Sequence, residues 1–201
     1  GPLSSSSTAT AGISWLPPGS ASAVISDANN FPYVIDVSWS ASNQGSGTGV
    51  LTGYELWRTN GANTVLVATL GTGITYSDTV SLANTNFEYF VKSTSTHGTS
   101  GSSPNSNTVT TPTIPGTIND LAGSVISNTQ INLSWSAPSN GGSNIDAYKI
   151  FKDGSQIDTT TNVTYSVTGL TSNTSYTFVV VANNSVGDSA NSNSISKTTY
   201  Q

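Results

Sequence analysis

Apolar and polar residues alternate along short runs of this chain. Phe87-Glu88-Tyr89, Val91-Lys92-Ser93 and Tyr176-Thr177-Phe178 are examples. A period of two places alternate side chains on opposite faces of a strand, so these runs predict half-buried β-strands. No stretch carries a 3.6-residue apolar period, and no helix is predicted.

The pattern occurs twice. Val37-Ser38-Trp39-Ser40-Ala41 recurs as Leu133-Ser134-Trp135-Ser136-Ala137, an offset of 96. Gly53-Tyr54-Glu55-Leu56-Trp57 recurs as Ala147-Tyr148-Lys149-Ile150-Phe151 at 94, and Phe87-x-Tyr89-x-Val91-x-Ser93 as Tyr176-x-Phe178-x-Val180-x-Ala182 at 89. A falling offset means a first copy with longer loops. Three segments follow: a lead of 1–16, one domain over 17–112 and another over 113–201. Gly1-Pro2-Leu3-Ser4 reads as a tag remnant and Ser4 to Ser7 as a flexible tail, so the chain is expected to be a piece of a longer protein. Trp15 is expected either to end a preceding connection or to fold back on the first copy. The joint Thr110-Thr111-Pro112-Thr113-Ile114-Pro115 holds two prolines, which favour an extended, semi-rigid link.

Each copy divides into about seven strands, labelled A, B, C, C′, E, F and G. In copy one they are read at 20–26, 33–40, 51–59, 63–69, 73–78, 85–95 and 104–111. In copy two they are read at 118–126, 129–136, 145–152, 155–159, 163–168, 174–184 and 190–199. Asn60-Gly61 and Asp153-Gly154 fall between C and C′ and suit tight hairpins, because both dipeptides tolerate φ > 0. Seven strands in under 100 residues, with one Trp on the second, predict a β-sandwich.

Copy two has Trp135, Tyr148-x-Ile150, Leu170 and Tyr176-x-Phe178-x-Val180-x-Ala182-x-Asn184-x-x-Gly187. Copy one keeps Trp39, Tyr54-x-Leu56, Leu82, Tyr89, Val91 and Gly98. Together these residues resemble the fibronectin type III family. Copy one departs from it at Phe87, where the family's corner tyrosine stands. The resemblance implies an all-β chain of two seven-stranded immunoglobulin-like sandwiches in tandem. It also implies that the corner hydrogen bond of Tyr176 is missing in copy one. It does not imply one function, since such domains serve as spacers, adhesion modules and enzyme accessories.

Composition narrows the chemistry. Charged residues are 7% of the chain, against about 25% in an average globular protein. Ser, Thr and Asn number 35, 30 and 20 of 201. Such a composition would suit a disordered chain were it not for the strand patterning. Without Cys there is no disulfide or thiolate site, and a single His leaves no multi-His metal site. Five Lys and Arg with a net charge of −5 make a phosphate-binding surface unexpected, so no nucleic-acid partner is expected. No apolar run approaches the 18 or more residues of a spanning helix, so no membrane insertion is expected.

No catalytic, metal-binding or cofactor-binding residue is assigned. His97 lies in a loop with no elbow motif near it and reads as solvated. Glu55 and Glu88, the two glutamates, take outward positions on neighbouring strands C and F, with Lys92 on the same face. A flat exposed face lacks the cleft that raises one carboxyl of a glycosidase pair. Asp146, Asp153, Asp158 and Asp188 are scattered and form no calcium loop. Gly45-Ser46-Gly47-Thr48-Gly49 reads as a flexible B–C loop, and Arg-Gly-Asp is absent. Sequons begin at Asn132, Asn162, Asn173 and Asn183. Asn162 and Asn173 are the candidates for N-glycosylation, because the other two fall within strands.

One surface signal remains. Parity turns Trp57 and Phe90 outward on C and F of copy one, and Phe151, Val179 and Val181 outward on C and F of copy two. These five form a candidate contact face. Cross-strand pairing, a protein interface and stacking against sugar rings are its three readings. The chain as a whole is expected to be a non-catalytic tandem of an extracellular or cell-surface protein, acting as a spacer or an adhesion module. The alternative is a carbohydrate-binding or linker accessory of a secreted polysaccharide-degrading enzyme. Its expected partners are flanking domains of a longer chain and a protein or polysaccharide ligand.

Overall fold

The structure, a computed structural model, describes residues 15–44 and 49–201. The expected tag remnant at 1–4, the tail to Ser7 and most of the loop Gly45-Ser46-Gly47-Thr48-Gly49 lie outside the described residues. Two compact units are present. Most of the first is Val34–Val80 and Asn86–Thr110, and most of the second is Thr111–Gln201.

Sixteen strands occur among the described residues. Those of the first unit are β1 (Ser22–Asp27), β2 (Tyr33–Ser38), β3 (Leu51–Thr59), β4 (Thr64–Leu70), β5 (Thr75–Val80), β6 (Asn86–Ser95), β7 (Gly98–Thr99) and β8 (Val109–Thr110). Those of the second are β9 (Ala122–Val125), β10 (Ile131–Ser134), β11 (Ile145–Lys152), β12 (Ser155–Thr160), β13 (Thr164–Val167), β14 (Ser175–Asn184), β15 (Gly187–Asp188) and β16 (Ile195–Thr198). In the first unit β1-β2-β5 form one sheet and β4-β3-β6-β7 the other, with β8 also on β6. The second unit repeats this order as β9-β10-β13 and β12-β11-β14-β15, with β16 on β14. Strands A, B and E thus face C′, C, F and G in each unit.

The inward residues named by parity fill the cores. Tyr54, Leu56, Tyr89 and Val91 are 0% exposed in the first unit, as are Ile150, Phe178 and Val180 in the second. Trp39 meets Tyr54 edge-on at 5.7 Å, and Trp135 meets Tyr148 at 5.4 Å. Edge-to-face contact sets the positive rim of one ring against the negative face of another. The hairpin after β11 passes through Asp153 at φ 50 and Gly154 at φ 81, the left-handed conformation that this dipeptide was expected to supply.

Several elements differ from expectation. Strand E of the first unit runs Thr75–Val80 rather than 73–78, because Asp78 faces inward and the apolar alternation carries on past it to Val80. Strand G is broken in both units into two short strands, because serine hydroxyls replace backbone groups along its middle. Leu82, which stands where Leu170 stands in the repeat, is 53% exposed while Leu170 is 5%. The chain turns through Gly169 at φ 71 just before Leu170, and the first unit has Ser81 before Leu82. Trp15 folds back on the first unit: its indole N–H donates to the Gly49 carbonyl at 3.3 Å, and the Leu16 amide donates to the Asn43 carbonyl at 3.3 Å.

Candidate functional site

The outer face of β4-β3-β6 carries the principal surface feature of the first unit. Trp57 on β3 lies directly opposite Phe90 on β6 and opposite Leu66 on β4. The Trp57 and Phe90 rings lie nearly parallel, at 4°, with centroids 6.0 Å apart. The Trp57 indole N–H donates to Glu55 Oε2 at 3.1 Å, and the Lys92 ammonium sits 4.9 Å from the Trp57 ring centroid. Glu55 and Lys92 are themselves cross-strand partners. One cluster therefore engages the indole's N–H, its π face and both charges beside it. The aromatic pair expected from parity is present, and it is satisfied from within the sheet.

The second unit keeps the position but not the pairing. Phe151 lies opposite Val179 on β14 and Gln156 on β12. Beside it Phe151, Gly154, Thr177, Val179 and Asn191 line an open depression of about 190 Å³. Val181, expected outward with Val179, is buried at 4% exposure. Lys149 lies opposite Val181, and its ammonium reaches across β14 to Asp188 on β15 at 2.7 and 2.8 Å. The aliphatic stem of Lys149 therefore passes over Val181 and covers it. Val181 drops out of the contact face.

The titratable groups do not converge. Glu88 pairs with Thr59, four positions along β6 from the partner of Glu55, so the two glutamates stand roughly 13 Å apart along the strand. That exceeds the spacing of a glycosidase pair. The Thr108 hydroxyl and the Asn105 amide donate to Glu88 at 2.8 and 2.6 Å and hold its carboxyl below the usual range. His97 lies in an exposed turn, its Nδ1 3.2 Å from the Thr96 hydroxyl. Among the described residues no three His, Cys, Asp or Glu side chains gather as a metal site would require. Asp153 accepts the Thr177 amide at 2.8 Å, and Asp158 accepts the Tyr165 hydroxyl at 2.6 Å. Asp188 accepts both Lys149 and the Asn183 amide. Asn162 and Asn173 are exposed in loops, whereas Asn183 is tied to Asp188 at 2.7 Å.

Three arrangements were not read from the sequence. A buried network joins the first unit's sheets: Arg58 donates to Asp78 at 2.5 Å, and the Tyr89 hydroxyl donates to the same oxygen at 2.9 Å. Arg58 also lies 5.1 Å over the Phe87 ring. The inward parity of Asp78 on a strand of known phase was the available signal. Second, Asn107 donates to the Ala23 carbonyl at 2.8 Å and accepts the Ala23 amide at 3.0 Å. Asn193 clasps Leu121 in the same way, at 2.9 and 2.8 Å. Third, serines along strand G bond reciprocally to strand F. The corner tyrosine behaves as expected: the Tyr176 hydroxyl accepts the Thr171 amide at 3.0 Å, while Phe87 is buried and has no hydroxyl to offer.

Comparison with known proteins places this geometry among relatives. A family model described as "Fibronectin type III domain" matches residues 115–198. The chain is 32% identical over 174 residues to Exoglucanase B of Cellulomonas fimi, covering 82% of this chain and 16% of that one. It is 31% identical over 170 residues to Chitinase A1 of Niallia circulans, covering 81% and 23%. It is 35% identical over 103 residues to Chitinase D of the same organism, covering 51% and 19%. The chain thus spans less than a quarter of the length of each of these relatives.

Proposed function

Residues 115–198 are a fibronectin type III domain and the first unit repeats its sandwich; from this premise we propose that the tandem is a non-catalytic accessory module of a secreted polysaccharide-degrading enzyme. The observation that carries the reading is the likeness, over most of this chain, to a minor part of an exoglucanase and a chitinase. A stretch common to enzymes named for different polysaccharides does not itself select the bond that is cut. Its role is then shared by both: holding flanking domains at a working distance. The likeness to the exoglucanase and the chitinases supports this reading better than the expected spacer or adhesion module of a cell-surface protein.

The geometry favours positioning over sugar binding. The Trp57 ring stacks on Phe90, carries Lys92 on its π system and has its N–H tied to Glu55, so a sugar would have to displace existing contacts. Phe151, with only Val179 and Gln156 opposite it, is the better-placed ring for a sugar contact. Secretion and flanking domains belong to the same proposal. Removing the tandem from its parent enzyme tests it. Turnover of soluble oligosaccharides is expected to persist while degradation of insoluble chitin or cellulose falls. Unchanged rates on both would overturn the reading. Co-sedimentation of this chain with the same solids, beside Trp57→Ala and Phe151→Ala, separates positioning from binding. No retention by any form is the result expected of a positioning module.

A further inference from the structure

Strand G ends each larger sheet, yet it does not pair as an ordinary strand. In the first unit the amides of Ser100, Ser103 and Ser106 donate to the carbonyls of Ser93, Val91 and Tyr89 at 2.9, 2.8 and 2.7 Å. The amides of those same three residues of β6 donate back to the serine hydroxyl oxygens at 2.9, 3.0 and 3.0 Å. Each hydroxyl then donates to the carbonyl of the next residue, Gly101, Pro104 or Asn107. The second unit repeats the rungs. Ser189 and Ser192 exchange such bonds with Ala182 and Val180, with amide-to-hydroxyl distances of 3.0 and 2.9 Å. All five serines are buried.

The side-chain oxygen stands where a ladder would use the backbone carbonyl. Strand F therefore advances two residues for every three of strand G. A regular edge strand exposes N–H and C=O at a two-residue period, which is a template for another strand. Here two residues separate successive rungs, and one of them, Pro104, has no N–H. The outer side of the segment lacks that period.

We propose that the Ser-x-x-Ser rungs are an edge-closing device, satisfying every covered amide of strand F while leaving an outer edge that cannot accept a strand from a second copy of this chain. The remaining edges are blunted by other means. On β4 and β12 a bulge leaves Val67 and Ile157 without a register partner, on β5 Asp78 points inward, on β1 the Asn107 carboxamide occupies the Ala23 backbone groups, just before β9 the Asn193 carboxamide does the same at Leu121, and β13 runs only four residues. The strand-G rungs guard the longest templates, since β6 and β14 each run ten residues.

The test is made on the whole chain with Ser103→Ala and Ser103→Thr. In the native chain the Val91 amide is expected among the slowest to exchange, and the mass by sedimentation is expected to be that of a monomer at every concentration. Ser103→Ala should speed exchange at Val91 by roughly tenfold to a hundredfold, as fits the loss of one acceptor for a buried amide. Held below its melting temperature, it should also gain mass as concentration rises. Ser103→Thr keeps the hydroxyl and should restore both properties. Lost protection without association would reduce the rung to an ordinary hydrogen bond and overturn the edge-closing role. Unchanged protection would overturn the rung itself. If Ser103→Ala does not fold, the native chain decides: a synthetic peptide of residues 86–95 should not bind it, and binding overturns the proposal.

Discussion

At the residue scale, the Asp78 carboxylate governs the first unit's interior more than any other charge. It is 6% exposed and receives both the Arg58 guanidinium and the Tyr89 hydroxyl. Removing one partner of a buried pair leaves the other charge uncompensated. Asp78→Ala should therefore cost about 3 kcal/mol, read from denaturant unfolding of the first unit. Replacing Arg58 and Asp78 together by apolar residues should cost much less, because no orphan charge is left. The Tyr89 hydroxyl supplies a pH dependence. Burial, reinforced by the neighbouring carboxylate, pushes its pKa well above the ordinary tyrosine value. A pKa raised on folding means the folded state keeps a proton that the unfolded chain gives up. That stability is whole below about pH 10 and drains away as pH rises beyond it. Melting temperature followed from neutral to alkaline pH should fall more steeply for the native chain than for Tyr89→Phe. Equal slopes would count against the network.

At the element scale, the sheet faces divide sharply between what sequence could foresee and what it could not. Parity placed Trp57 against Phe90 because C and F neighbour one another and both residues take the outward phase, and the rings do stack. Parity failed at Val181, because a period of two says which way a side chain points and not what lies over it. The covering group, Lys149, is drawn across the strand by an aspartate 39 residues away. Asp78 failed for a related reason: its inward phase was visible, but its partners come from two other strands. Strand G failed because its period is three, and a search for alternation passes over Ser100, Ser103 and Ser106. The aromatic pair also carries a prediction. Its ring contact, together with the cross-strand position, makes Trp57→Ala cost about 1–2 kcal/mol in the first unit, while Trp57→Phe keeps most of the stack. Chemical denaturation of both variants reads this directly. A neutral Trp57→Ala would leave the rings free for a ligand and reverse the preference for positioning over binding.

At the scale of the whole molecule, scarcity of charge and its placement combine into one property. The chain has five Lys and Arg residues, and all five lie within strands: Arg58 on β3, Lys92 on β6, Lys149 and Lys152 on β11, and Lys197 on β16. None occupies a loop. Arg58 and Lys149 are paired with carboxylates, and Lys92 and Lys152 lie over aromatic rings at 4.9 and 5.0 Å. A protease that cleaves after Lys or Arg must thread an extended segment through its cleft. Each of these five residues is itself held in a sheet, although the segment after Lys152 runs into the Asp153-Gly154 turn. Cleavage must therefore wait for a strand to leave its sheet, and all-β sandwiches with long-range pairing open slowly. Trypsin should thus leave the native chain intact at temperatures well below melting, with a rate of loss that follows the opening equilibrium and rises together with it under denaturant. A protease without charge preference should instead cut at exposed loops such as those bearing Asn162 and Asn173. Asp78→Ala supplies the internal check. By loosening the first unit alone, it should speed tryptic cleavage first at Arg58 and Lys92, with the second unit surviving as a fragment. Early cutting at Lys149 or Lys152 in that variant would mean that the two units do not open independently, contrary to what two separate cores predict.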